Sequence, residues 1–236
     1  MAASVSAADV DPYTIAFGSC HRLSASRTLL PLIPPFSPSA FLWLGDAVYV
    51  KNSSSSVAPL RSAFDDMKAF RPYADLVSSL EDGVHGTYDD HDYGQNDAGK
   101  HLGLSGERRD SYLDFLGAAE DDDRRERDRG VYGSSVLGEG RVDGGVRVIF
   151  LDTRAFRDDH RVPSVGGKEG VPFAAVAAAF SRLLVKLLGV GRDYDGEMLG
   201  EEVRGRGLQS PNDDVTTTHT RHNTTQHNTI TAMAVA

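Results

Sequence analysis

The stretch TYDDHDYGQND, Thr87 to Asp97, places four acids, one His and one Asn within eleven residues, just after a short apolar segment. Carboxylates crowded in this way repel one another and raise one another's pKa. A cation among them removes that cost and turns the cluster into a site. An isolated charge run is more simply a solvated acidic loop. What decides between the two readings is whether other parts of the chain carry matching chemistry.

Upstream, Ala40 to Leu44 (AFLWL) is an apolar run closed by Gly45 and Asp46, the pattern of a buried strand. Tyr13 to Ser19 is β-rich and ends in small residues, which predicts a second buried strand. Gly83 to Tyr88 is a weaker strand, diluted by Gly and His. Downstream, Gly130 to Leu137 and Val142 to Leu151 read as a hairpin turning at Gly138 to Arg141. Four of these strands end in polar signals: Gly18-Ser19-Cys20-His21, Gly45-Asp46-Ala47-Val48-Tyr49, Asp89-Asp90-His91-Asp92 and Asp152-Thr153-Arg154. In α/β sheets ligands collect beyond the carboxyl ends of strands, so these segments can converge although they are distant in sequence.

Helical patterns lie between the strands. Arg27 to Ile33 predicts a short helix. Val57 to Leu80 predicts two helices broken at Pro72, and Arg108 to Leu116 one more. Pro172 to Leu188 predicts a helix with Pro172 in its first turn. Glu120 to Arg129 is a mixed charge run, read as a solvated turn, and Ser164 to Gly170 a Gly-rich loop. The alternation predicts an α/β layered fold with a largely buried central sheet. From Gln209 to Ala236 there is no Gly and no aromatic residue, but eight Thr and three His. This composition predicts a disordered tail, and the irregular spacing of His219, His222 and His227 speaks against a metal tract.

With 236 residues and 40% hydrophobic content, the chain is long enough for one substantial domain. A formal net charge of -9 argues against a general nucleic-acid binder, which needs a basic surface. No apolar run approaches the ~20 residues of a membrane span. Met1 to Val10 has neither the basic region nor the apolar core of a secretory signal, and Cys20 is the one cysteine. These features make a cytoplasmic location the default expectation.

Taken singly, each polar residue has a plain structural reading. Cys20 is a small buried hydrophobe, Asp46 a turn residue, Tyr49 a core ring, His91 a loop histidine and Asp152 a helix N-cap. Taken together, "FGSC", "GDAVY", "TYDDHDYGQND" and "LDTR", in this order and spacing, resemble the alkaline phosphatase D (PhoD-like) family of calcineurin-like metallophosphoesterases. The resemblance runs from residue 13 to about 202. It implies a layered α/β/α metallophosphoesterase-type sheet, a flexible N-terminus over 1–12 and a low-complexity tail over 203–236.

It also implies a dinuclear metal centre that activates water to hydrolyse phosphate mono- or diesters. By resemblance, Cys20 would be a thiolate ligand, Asp46 a bridge between two ions and Tyr49 a phenolate ligand to a ferric ion. Asp90 would ligate the second ion, Ca²⁺ or another divalent metal, with a contribution from Asn96. His91 would be the catalytic histidine beside the phosphate, Asp92 its orienting partner, and Arg154 would face the substrate phosphate.

The chain departs from the family after DGEMLGEE, Asp195 to Glu202. A Gln-Trp-led helix and a late Gly-Asp-x-His-type motif are expected there, and neither occurs. Two readings therefore stand at this level. One is a metal-dependent phosphoester hydrolase; the other is an inactive fragment of that family which binds metal weakly or not at all. The missing second half predicts little hydrolysis of p-nitrophenyl phosphate by this chain.

Overall fold

The computed structural model describes residues 13–24, 28–50, 53–159, 174–189, 197–199 and 230–235. Strands β1 (Ile15–Gly18), β2 (Ala40–Leu44) and β3 (Val84–Thr87) form a parallel sheet in the order β1-β2-β3. Ile15 lies opposite Ala40, and Phe41 opposite Val84. Because all three strands run the same way, their C-terminal loops emerge on one side. That is where Cys20, Asp46 and Asp90 fall.

Strand β2 is central, and its alternation explains the layers on either side. Side chains on a strand alternate between the two faces. Phe41 and Trp43 enter one core cluster with Leu60, Phe64 and Met67 of α1 (Ala58–Ala69), Tyr73 and Leu76 of α2 (Arg71–Ser78), and Tyr112, Leu113 and Phe115 of α4 (Ser105–Leu116). Ala40 and Leu42 enter a second cluster with Leu137 of β4 (Gly133–Leu137) and Val146, Val148 and Phe150 of β5 (Val146–Leu151). An apolar run with no polar alternation is what a strand covered on both faces requires. The Trp43 indole N–H donates to the Tyr73 hydroxyl at 3.2 Å, which satisfies the polar end of a side chain only 1% exposed.

The weak strand signal of β3 has a packing cause. A Cβ at Gly86 would lie 2.4 Å from the Trp43 carbonyl oxygen, so this close approach admits only glycine. The residue that dilutes the strand pattern is the one that lets β3 lie against β2.

The single layered sheet expected above is resolved into two three-stranded sheets among the described residues. Strands β4 and β5 pair antiparallel, and β6 (Ile230–Val235) pairs parallel to β5. What stands is a mixed α/β chain with a small parallel sheet and helices. Thr87 at the end of β3 donates through Oγ1 to the Leu151 carbonyl at 2.9 Å, and this joins the ends of β3 and β5.

Three expectations are corrected. Residues 230–235, read above as part of a disordered tail, form β6; the run ITAMAV is uncharged, as a parallel strand prefers. The helix expected over Arg27 to Ile33 is instead two 3₁₀ turns, Leu30–Leu32 and Pro34–Phe36. Pro31, Pro34 and Pro35 lack the N–H groups a continuous helix needs. The break between α1 and α2 falls at Phe70, which is extended at ψ 111°, while Pro72 sits in the first turn of α2. The hairpin, α4 and the helix α5 (Ala174–Leu187) appear close to where they were expected. The segment 1–12 expected to be flexible, the stretch 164–170 expected to be a Gly-rich loop, the three tail histidines and the remainder of 203–236 lie outside the described residues. Among the described residues, no helix is long and apolar enough to cross a membrane.

Candidate metal centre

Two backbone bonds clamp the loop after β1 to the loop after β2. The Cys20 N–H donates to the Gly45 carbonyl at 3.2 Å, and the His21 N–H to the Asp46 carbonyl at 2.8 Å. The His21 ring anchors the same loop from below, packed against Trp43 and Phe70 at centroid distances of 6.2 and 5.9 Å. Five described non-glycine residues have positive φ, and Cys20 (56°), Asp46 (55°) and Asp97 (57°) are three of them. Such conformations cost on the order of 1–3 kcal/mol each and collect where a site over-determines its backbone. All three lie in the segments brought together here.

Asp46 is the hub. Its Oδ2 accepts from the Tyr49 hydroxyl at 2.8 Å and lies 3.9 Å from the Cys20 sulfur. Its Oδ1 accepts from the His91 N–H at 3.4 Å. Burial pushes the Asp46 carboxyl above its usual range. Tyr49 and His91 pull it back, and Asp90 and Asp89 push it further. Burial, then the Asp46 hydrogen bond, raise the Tyr49 phenol.

The acidic stretch opens with a single helical turn, α3 (Asp90–Tyr93), built as a capping box. The Asp89 side chain accepts from the amide three residues on, and the Asp92 Oδ2 accepts from the Asp89 N–H at 3.2 Å. Gly94 ends the turn at φ 116°, where a Cβ would sit 2.1 Å from an Arg108 nitrogen. That buried guanidinium donates to the Tyr93 carbonyl at 2.9 Å and to the Ser53 hydroxyl at 3.1 Å, which ties α3 to α4. Asp90 accepts from the Asp97 N–H at 2.6 Å.

The result is one compact donor set. Ligand atoms of Asp46, Asp90 and His91 all lie within 4.8 Å of one another. The Tyr49 ring lies 4.2 Å from the His91 ring, and the Cys20 thiol is exposed rather than buried. The expectation that Cys20 is merely a small core residue therefore fails. The His91 Nδ1 is buried with no hydrogen-bond partner. Two buried carboxylates and an orphaned imidazole nitrogen are unfavourable without a cation and suited to one. The residues present fit a metal ion.

Three of the expected site residues have other partners. The Asp92 carboxylate takes the Val48 N–H at 3.1 Å and the Asp89 N–H, both from the backbone. It is fully buried, and burial pushes its pKa to about 8 against these two bonds. Arg154 is paired with Asp89 through both Nε and Nη2, so its guanidinium is held by a carboxylate. Asn96 donates its amide to the Asp97 carboxylate at 3.1 Å. Asp152 is a buried loop cap that accepts from the Val131, Arg154 and Ala155 amides at 2.9, 2.9 and 2.8 Å. Asp89, assigned no role from sequence, links the α3 turn to Arg154. Its spacing of three from Asp92 is the capping-box pattern and was available in the sequence.

No protein-family model matches the chain, and no curated protein matches it. Among solved structures, the structure of PhoD is similar with a TM-score of 0.49 and 19% identity, over 63% of this chain and 33% of that one. The chain thus spans about a third of the length of that structure's chain.

Proposed function

We propose that the chain carries the metal centre of a phosphoester hydrolase. The observation that supports this most is the convergence of Asp46, Asp90 and His91 within 4.8 Å. The motifs that bring them there are the ones that resemble the PhoD-like family.

Asp46, Asp90 and His91 would hold a metal, with Cys20 and Tyr49 beside Asp46 as further donors. Thiolate and phenolate suit a ferric ion, and a second, oxygen-loving ion such as Ca²⁺ suits Asp90 and Asn96. When bound, such ions supply Lewis acidity toward a phosphoryl oxygen and activate water. Before metal binds, Tyr49 orients the Asp46 carboxylate through its hydroxyl bond. Asp92 and Asp89 build the turn that presents Asp90 and His91. Arg154 steadies that turn through Asp89. The His91 imidazole is the group suited to deliver a proton to a departing alkoxide.

The test is hydrolysis of p-nitrophenyl phosphate and bis(p-nitrophenyl) phosphate by the full chain with added Fe, Mn or Ca. Turnover that is lost in EDTA and in Asp46→Asn supports the hydrolase reading. Metal uptake without turnover leaves the chain a metal-binding member that does not catalyse. Turnover unaffected by Asp46→Asn refutes this site.

A further inference from the structure

We propose that Arg22 is a substrate-binding residue of this centre, taking the non-bridging oxygens of the phosphoryl group. The inference rests on the hydrolase reading above.

A phosphoryl group bound at the metal of this centre still presents non-bridging oxygens that a guanidinium at the mouth of the site can take. The nearby arginines differ in how they are engaged. Arg154 is held by the Asp89 carboxylate. Arg157 donates to the Asp97 and Ala98 carbonyls. Arg22 is exposed, has no carboxylate partner among the described residues, and rests with its guanidinium carbon 4.1 Å from the centroid of the Tyr49 ring. Tyr49 is the residue whose hydroxyl meets Asp46 and whose ring meets His91.

This placement is built in. Arg22 follows Cys20 and His21, whose amides are fixed to the Gly45 and Asp46 carbonyls, and the His21 ring is wedged against Trp43 and Phe70. The loop therefore delivers Arg22 to the donor set as firmly as it delivers Cys20. A guanidinium stacked on an aromatic face keeps its N–H edges outward, in the planar fork that matches phosphate oxygens. The stacking energy at an exposed ring is small, so the side chain can tilt onto an anion at little cost.

The experiment is calorimetric titration of the full chain, first with Mn²⁺ and then, Mn²⁺-loaded, with inorganic phosphate. Arg22→Gln is expected to bind Mn²⁺ as the wild type does and phosphate about tenfold more weakly, the loss of one charge-assisted contact. Arg22→Lys is expected to recover part of that loss, since it restores charge without the fork. Equal phosphate affinity in wild type and Arg22→Gln overturns the role of Arg22 and leaves the metal centre standing. A wild-type chain that takes up no Mn²⁺ overturns the metal centre, and the role of Arg22 with it.

Discussion

The Tyr49 hydroxyl donates to Asp46 Oδ2 at 2.8 Å, three residues away on the loop that follows β2. This bond fixes the carboxylate at the centre of the donor set and draws the Tyr49 ring onto His91. Tyr49→Phe keeps the ring and removes the bond. It is expected to weaken Mn²⁺ binding by about tenfold or more, since it removes both a donor and the hydrogen bond that supports Asp46. Titration of Mn²⁺ into the variant checks this, and unchanged affinity would show that Tyr49 is neither a donor nor a needed support of Asp46.

Arg154 and Asp89 act as one unit in holding the α3 turn. Their side chains are 15% and 24% exposed, so the pair is partly shielded from solvent. Arg154→Ala and Asp89→Asn are each expected to weaken Mn²⁺ binding several-fold, and the double variant little further. A double-mutant cycle measures this coupling. Strict additivity would mean that the pair does not position Asp90 and His91.

Asp92 makes the stability of the metal-free chain fall as pH rises from about 4 to about 8. Its folded pKa, about 8, lies above the ordinary 3.8 because burial disfavours the charged form. A raised folded pKa contributes stability that is complete below the unfolded pKa and is lost as pH rises through the folded one. Urea unfolding without metal should therefore show stability falling between about pH 4 and pH 8, by an amount on the order of a few kcal/mol. Asp92→Asn should make the profile shallower, the remaining slope coming from Asp46 and Asp152, whose carboxyls burial also raises. A slope unchanged by the substitution assigns the titration to those other groups.

Gly86→Ala tests the seam between β2 and β3. The added Cβ meets the Trp43 carbonyl, which belongs to backbone and cannot swing aside. The expected loss is about 1–3 kcal/mol of folding stability. Trp43, the one tryptophan, reports it by fluorescence in denaturant titration.

Much of this arrangement was legible in the chain because it is local. The AFLWL run is uniformly apolar since β2 is covered on both faces, and its bounds, Ala40 to Leu44, are those of the strand. Cys20, Asp46, Tyr49, Asp90 and His91 converge because each follows closely on the C-terminal end of a parallel strand. Side-chain partners were less legible. Asp92 next to His91 suggested an orienting pair. A carboxylate at the third position of a turn, however, folds back to its cap amide, and that short-range bond wins. Arg154 meets Asp89 across 65 residues of sequence, and no spacing announces it. Strand β6 lies in a Thr- and His-rich context that hides a six-residue uncharged run, and its partner β5 is distant in sequence.

The most direct measurement is the metal content of the purified full chain, alongside Mn²⁺ titration, for the wild type and for Asp46→Asn. The wild type is expected to carry or take up at least about one equivalent of metal. Asp46→Asn is expected to bind at least about tenfold more weakly, since it removes the charge of the carboxylate that meets Cys20, Tyr49 and His91. A wild-type chain that is isolated without metal and binds none on titration, or an Asp46→Asn variant that binds as the wild type does, would contradict a metal centre built on Asp46, Asp90 and His91.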